Sequence, residues 1–189
     1  MANLKKNSEN KRHYLIIWAS IFSLVMLCLF GTACNEQPTI AIRKYSPYDL
    51  VDASGKCYYY VSSKYTNLIK KGVNTWNKHR PNTFVETPNY GGRTCLIITD
   101  VFKEALLCDG IISYSNSTIY LNAAFYESDD YRKDTNYSQH SVTHELGHAL
   151  GLDDNNEGLP KNVMKQGKLK NINLTKDDKA SFDKAAERY

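Results

Sequence analysis

The sequence predicts an α+β domain, and three observations carry that prediction. Short runs of strand formers alternate with one strongly periodic helix over residues 57–122. His144, Glu145 and His148 then stand at helical spacing beside an apolar series, Val142, Leu146, Ala149, Leu150 and Leu152. After an irregular stretch, Thr175-Lys176-Asp177-Asp178 opens a last helix. Strands, then helices, with no regular βαβ repeat, is the α+β pattern.

Each element follows from its residues. Cys57-Tyr58-Tyr59-Tyr60-Val61 is rich in strand formers and predicts the first strand. Thr66–His79 places Leu68, Ile69, Val73 and Trp76 at helical spacing, with Pro81 just past the end, so this is a packing helix with Trp76 in the core. Thr83–Glu86 and Cys95–Val101 read as strands separated by the turn-forming Asn89-Tyr90-Gly91-Gly92. Gly110–Tyr114 and Thr118–Asn122 add β-structure, and the second, short and bounded by Ser and Asn, is a candidate sheet edge. Residues 126–137 are polar and Tyr-rich and predict a loop. A helix over Ser138–Leu150 follows, with Ser138 as its N-cap. Thr175 caps the final helix, Asp177 and Asp178 favour its first turn, and Phe182 and Ala185 face inward.

The first 33 residues stand apart. Lys5, Lys6, Lys11 and Arg12 precede a charge-free apolar run from Tyr14 to Phe30, and Gly31-Thr32-Ala33-Cys34 closes it. A positive end, an apolar core and small residues make an export signal. The ending resembles a bacterial lipobox, with Cys34 as the lipidated first residue of the mature chain, although Gly31 stands where Leu is usual. Ordinary signal cleavage after Ala33, giving a secreted protein, and an uncleaved anchor are the alternatives. The expected division is a lipoprotein-type signal over 1–33, a tether over 34–55 rich in Pro, Asn and Ser, and one globular domain over 56–189. The protein is expected on the outer face of the cell membrane, held by a lipid anchor and monomeric. The formal charge is +4, and residues 1–33 carry four Lys/Arg against Glu9. That leaves +1 on the rest, which excludes a nucleic-acid footprint.

Five cysteines are present. Cys28 lies in the signal and Cys34 at the lipidation position, leaving Cys57, Cys95 and Cys108 in an exported domain where a disulfide can persist. A Cys95–Cys108 bridge and three reduced thiols are both open. No Cys-x-x-Cys pair suggests thiolate ligation of a metal.

Residues 144–154 carry the chemistry. His144-Glu145-Leu146-Gly147-His148 puts two imidazoles one turn apart, so both can reach one Zn²⁺, while Glu145 points at a metal-bound water. Gly151 lets the chain leave the helix in a left-handed conformation and bring back a third ligand, Asp154, with Asp153 as the alternative. Three protein ligands and an open position are the arrangement of a catalytic zinc site. Glu145 would act as the general base.

The stretch His144–Asp154 resembles the metzincin clan of zinc endopeptidases, and HELGHALGLDD is particularly similar to the matrixins, whose last position is normally His. Small metzincins resembling snapalysin carry Asp there. The resemblance covers residues 56–189, and implies a mixed β-sheet with a packing helix, an active-site helix, a Met-turn and a C-terminal helix. Asn162-Val163-Met164 stands at a suitable distance for the Met-turn, and Leu174–Asp178 looks like the start of the last matrixin helix. Gln166 occupies the position, two after Met164, where some metzincins carry a tyrosine ligand. By the same resemblance, a protein or peptide substrate lies extended along the edge strand, for which Thr118, Ile119, Tyr120 and Leu121 are the candidates. Calcium held by Glu127, Asp129, Asp130 and Asp134 is conceivable, without a calcium-loop pattern to support it.

The function implied is an exported, membrane-tethered zinc endopeptidase. A non-catalytic zinc-containing surface protein and a metallohydrolase of cell-wall amide bonds are the alternatives, and the intact Glu145 argues against the first. Asp in place of His makes the site more negative and should raise the pKa of a metal-bound water. An alkaline activity optimum is therefore expected, moving to lower pH in Asp154→His; an unmoved pH profile contradicts this.

Overall fold

Alternating burial along Cys57–Ser62 (β1) sets Cys57 and Tyr59 into the core, as a strand-forming run beside a hydrophobic layer must. In the computed structural model, which describes residues 45–88, 95–158 and 160–189, helix α1 (Thr66–His79) follows. Four further strands are β2 (Phe84–Glu86), β3 (Leu96–Val101), β4 (Gly110–Ser113) and β5 (Thr118–Asn122), in the sheet order β2-β1-β3-β5-β4. Pairing is parallel from β2 through β5, and β4 alone among them runs antiparallel, against β5. Ile69, Val73 and Trp76 of α1 join Val142 and Leu146 in one core, where the Trp76 ring meets Phe182 edge-on at 5.7 Å and its Nε1–H donates to the Thr143 carbonyl at 2.9 Å.

The order of strands corrects the expected edge. Thr118–Leu121 belongs to β5, which lies between β3 and β4 with Ile119 and Leu121 buried. The sheet edge on this side is β4. The polar residues 115–117 form the hairpin turn joining β4 to β5, with Ser117 at φ +52°.

Residues 126–137 are not a loop. Asn122 caps α2 (Ala123–Tyr126) by accepting from the Ala124 N–H, and α3 (Asp129–Lys133) follows. The tyrosines bury their rings and satisfy their hydroxyls: Tyr126 donates to Ser141 Oγ at 2.9 Å and Tyr131 to Asp109 Oδ2 at 2.6 Å. A polar composition hid an aromatic packing segment. Helix α4 (Asn136–Ala149) starts two residues before the expected cap, and Ser138 lies buried within it.

Helix α5 (Lys176–Ala185) has the full capping box expected of Thr175, with Asp178 as the reciprocal partner, and buries Phe182 and Ala185. A 3₁₀ turn, Ala186–Arg188, ends the fold.

Residues 45–55, expected in the tether, are part of the folded unit. Ser46 N–H donates to the Gly151 carbonyl at 2.7 Å, Leu50 N–H to the Ala149 carbonyl at 2.9 Å, and Arg188 pairs with Asp49 at 3.0 Å. Composition could not show that these residues clasp the exit of α4. The signal segment, Cys34 and the 89–92 turn lie outside the described residues. Among the described residues no helix is long and apolar enough to cross a membrane.

Cys57, Cys95 and Cys108 are free thiols. A Cys95–Cys108 bridge is not formed because the two residues sit at opposite ends of β5. Ile97, near Cys95, pairs with Thr118 at the start of β5, whereas the Cys108 carbonyl accepts from Asn122 at its far end.

Candidate metal centre

Helix α4 delivers His144 and His148 on one face, their Nε2 atoms 3.1 Å apart. Gly151, at φ +81°, turns the chain out of the helix, a conformation that a side chain would strain. The turn brings Asp154 Oδ1 to 3.3 Å from His144 Nε2 and 3.5 Å from His148 Nε2. Asp154, rather than the exposed Asp153, therefore completes the triad.

Both imidazoles are held from behind. His144 Nδ1–H donates to the Val163 carbonyl at 3.0 Å and His148 Nδ1–H to the Leu152 carbonyl at 2.9 Å. These bonds fix the tautomer that turns each Nε2 lone pair toward the other two groups. Asp154 Oδ2 accepts from Gln166 Nε2 at 2.7 Å, while Oδ1 is buried without a hydrogen-bond partner. A buried carboxylate oxygen left unpaired between two imidazole nitrogens is costly unless a cation meets it. Two nitrogens and one oxygen converging in this way suit zinc.

Glu145 faces the same cleft, a space of about 820 Å3 bounded by β4 and residues 165–168. It is 6% exposed, and burial raises its carboxyl to about 7; the His144 charge opposes the rise, and Asp109 and Asp154 add to it. A carboxylate poised near neutrality suits a general base. The strand above it explains Gly110: a Cβ there would stand 2.7 Å from Glu145 Cγ. Because Asn122 N–H bonds the Asp109 carbonyl, Gly110 and Ile112 turn their backbone groups away from β5, and the Ile112 N–H reaches Glu145.

Beneath the histidines, Met164 is 1% exposed and its Sδ fills the space beside Gly147, where a Cβ would collide with it. Asp178 holds this turn from the far side, accepting from the N–H groups of Val163 at 3.1 Å and Met164 at 3.2 Å as well as from Thr175. The helix cap and the His144 orientation are thus one network.

Three of the four acids suggested for calcium are engaged elsewhere. Glu127 pairs with Lys64, Asp130 with Lys168 at 2.5 Å and Asp134 with Lys170 at 2.8 Å. Among the described residues His144, His148 and Asp154 form the group of His, Cys, Asp and Glu whose atoms could share an ion.

Metal affinity should depend on pH through His144. Burial disfavours its charged form, but the adjacent Asp154 carboxylate and the charge of Glu145 outweigh it and raise the ring to about 9, whereas burial and the His144 charge lower His148. Below about pH 9 zinc must displace that proton, so apparent affinity should rise roughly tenfold per pH unit up to there and then level. Calorimetry at pH 7 in buffers of different ionisation enthalpy should read about one proton released per zinc; none released contradicts this.

No protein-family model and no curated protein sequence matches the chain. Solved structures do. The archaemetzincin of Methanopyrus kandleri aligns at TM-score 0.52 over 74% of this chain and 100% of that one, with 11% identity. The archaemetzincin of Archaeoglobus fulgidus, complexed with malonate, aligns at 0.43 over 67% and 99%, with 12% identity. High choriolytic enzyme 1, a hatching enzyme zinc-protease from Oryzias latipes, aligns at 0.35 over 56% and 49%, with 21% identity. At these identities the Methanopyrus structure speaks for the fold alone. The chain therefore shares its fold with that archaemetzincin, and helix α4 together with the turn after it carries a His-His-Asp group placed to hold a metal ion.

Proposed function

We propose that the protein is a zinc-dependent endopeptidase of the metzincin clan, matrixin-like with a snapalysin-like third ligand. One observation carries the reading: His144, His148 and the buried Asp154 Oδ1 converge beside a buried glutamate that lies under an antiparallel edge strand. Bound zinc, held by His144 Nε2, His148 Nε2 and Asp154 Oδ1, would supply Lewis acidity toward a water and a peptide carbonyl. Glu145 takes the proton of the attacking water and delivers it to the departing amine. Its carboxyl near 7 suits both halves of that transfer. An extended peptide pairs with the outward backbone groups of Gly110 and the outward carbonyl of Ile112 on β4, which lays its scissile bond beside Glu145. Val163 and Leu152 keep the imidazoles oriented through the cycle. The turn 162–164, with Met164 packed under Gly147, supports the Met-turn assignment.

The N-terminal pattern ending at Cys34 supports export and a lipid tether on the outer face of the membrane, with secretion as the alternative. Incubation with an unbiased peptide library, followed by mass spectrometry, tests the activity. Internal peptide bonds should be cut, cutting should stop with a chelator, and zinc should restore it. Cleavage confined to cell-wall peptides, or none by the zinc-loaded protein, overturns the reading.

A further inference from the structure

We propose that Gln166 is a positioning residue for the third metal ligand, locked in its working orientation by Asn156; this rests on the zinc reading of the His-His-Asp group.

Asp154 lies beyond the end of α4, on an irregular segment, and so lacks the helical scaffold that fixes the two histidines. Its two oxygens have different fates. Oδ2 accepts from Gln166 Nε2 at 2.7 Å, and Oδ1 is buried without a hydrogen-bond partner, 3.3 and 3.5 Å from the two Nε2 atoms. The Gln166 bond takes one lone pair of Oδ2 and fixes the plane of the carboxylate, so it favours Oδ1 as the donor atom and resists rotation that would bring Oδ2 onto an ion.

The amide of Gln166 is in turn fixed. Its Oε1 accepts from Asn156 Nδ2 at 3.0 Å, and its backbone N–H donates to Asn156 Oδ1 at 3.0 Å. With Oε1 already taken by a donor, the NH₂ end must point at Asp154; a flipped amide would set donor against donor at Asn156 and acceptor against acceptor at Asp154. The Asn156–Gln166 pair therefore ties the segment after α4 to the segment after Met164 and passes the restraint to the ligand. Nothing else in this network demands Gln166, whose side chain is exposed at the cleft rim, so its placement on Asp154 is its structural content.

The test is metal binding by the full chain, read by zinc titration and by the visible spectrum of bound Co²⁺. Gln166→Leu removes the donor at similar size. It should weaken zinc by about 10–100-fold. The cobalt bands should weaken and move to higher energy as a second Asp154 oxygen joins the ion and four-coordination is lost. Asn156→Ala, which keeps the donor but frees its orientation, should fall between that variant and the wild type. Thermal unfolding without metal should hardly change in either, because both side chains are exposed. Equal zinc affinity and an unchanged cobalt spectrum in Gln166→Leu overturn the proposal while leaving the metal site standing. A wild-type chain that binds neither metal overturns both.

Discussion

Replacing Glu145 with Gln should lower the rate of peptide cleavage about 10²–10⁴-fold, the range general-base catalysis supplies, while zinc still binds. The carboxamide keeps the size of the side chain under Gly110 but cannot accept a proton. The same substitution should stabilise the metal-free fold. Burial raises the Glu145 carboxyl to about 7, so between its ordinary value of 4.5 and about 7 the folded protein holds a proton that the unfolded chain has lost. Stability therefore falls as pH rises through that window, and the cost persists above it. Gln escapes this cost, which is about 3 kcal/mol at pH 8. Urea unfolding at pH 4 and pH 8 should show the variant and the parent close together at the first and the variant ahead at the second. A variant equally stable at both, or one that still cleaves at the parental rate, contradicts the assignment.

Asp178→Ala should have the largest effect on folding. Its buried carboxylate serves four donors: the N–H groups of Val163, Met164 and Thr175, and the Thr175 hydroxyl. Leaving buried donors unpaired costs about 1–3 kcal/mol for each that water cannot reach, and the α5 cap goes with them. A loss of roughly 3–5 kcal/mol is expected. That is a large part of the margin of a domain this size. The damage should also reach the metal. Val163 donates to Asp178 with its N–H and accepts from His144 with its carbonyl, so freeing the turn loosens the histidine. Zinc affinity should fall about tenfold or more even where the variant remains folded. Asp178→Asn, which retains one acceptor oxygen, should lie between. Denaturant unfolding and zinc titration of the two variants check both halves; a stable Ala variant with unaltered affinity contradicts them.

Much of this was readable from sequence because it is local. Two histidines four apart, a glycine at the helix exit and a capping box each depend on neighbours within a few residues, and His144, His148, Gly151 and Thr175 stand where the sequence places them. What escaped is non-local. Whether β4 or β5 forms the edge depends on the order of strands, which residues 110–122 do not encode by themselves. The tyrosines of residues 126–137 read as polar because composition does not show where a ring packs; Tyr126 and Tyr131 bury their bodies and bond only their hydroxyls. Asp178 read as a helix-favouring acid, and its second role on the Val163–Met164 turn lies 14 to 15 residues away in sequence. Gln166 was visible only as a tyrosine that was missing. Its bond to Asp154 requires two irregular segments to meet, and no periodicity announces that.

The central claim is that one metal ion at His144, His148 and Asp154 makes Glu145 the base of a peptide-bond hydrolysis. Titrating zinc into the metal-free protein while following cleavage of a peptide found in the library tests it most directly. Activity should rise linearly and saturate at one zinc per chain, and Glu145→Gln should take up the same single ion without gaining activity. Cleavage that persists without metal, or that is equal in the parent and the variant at full occupancy, would contradict the account.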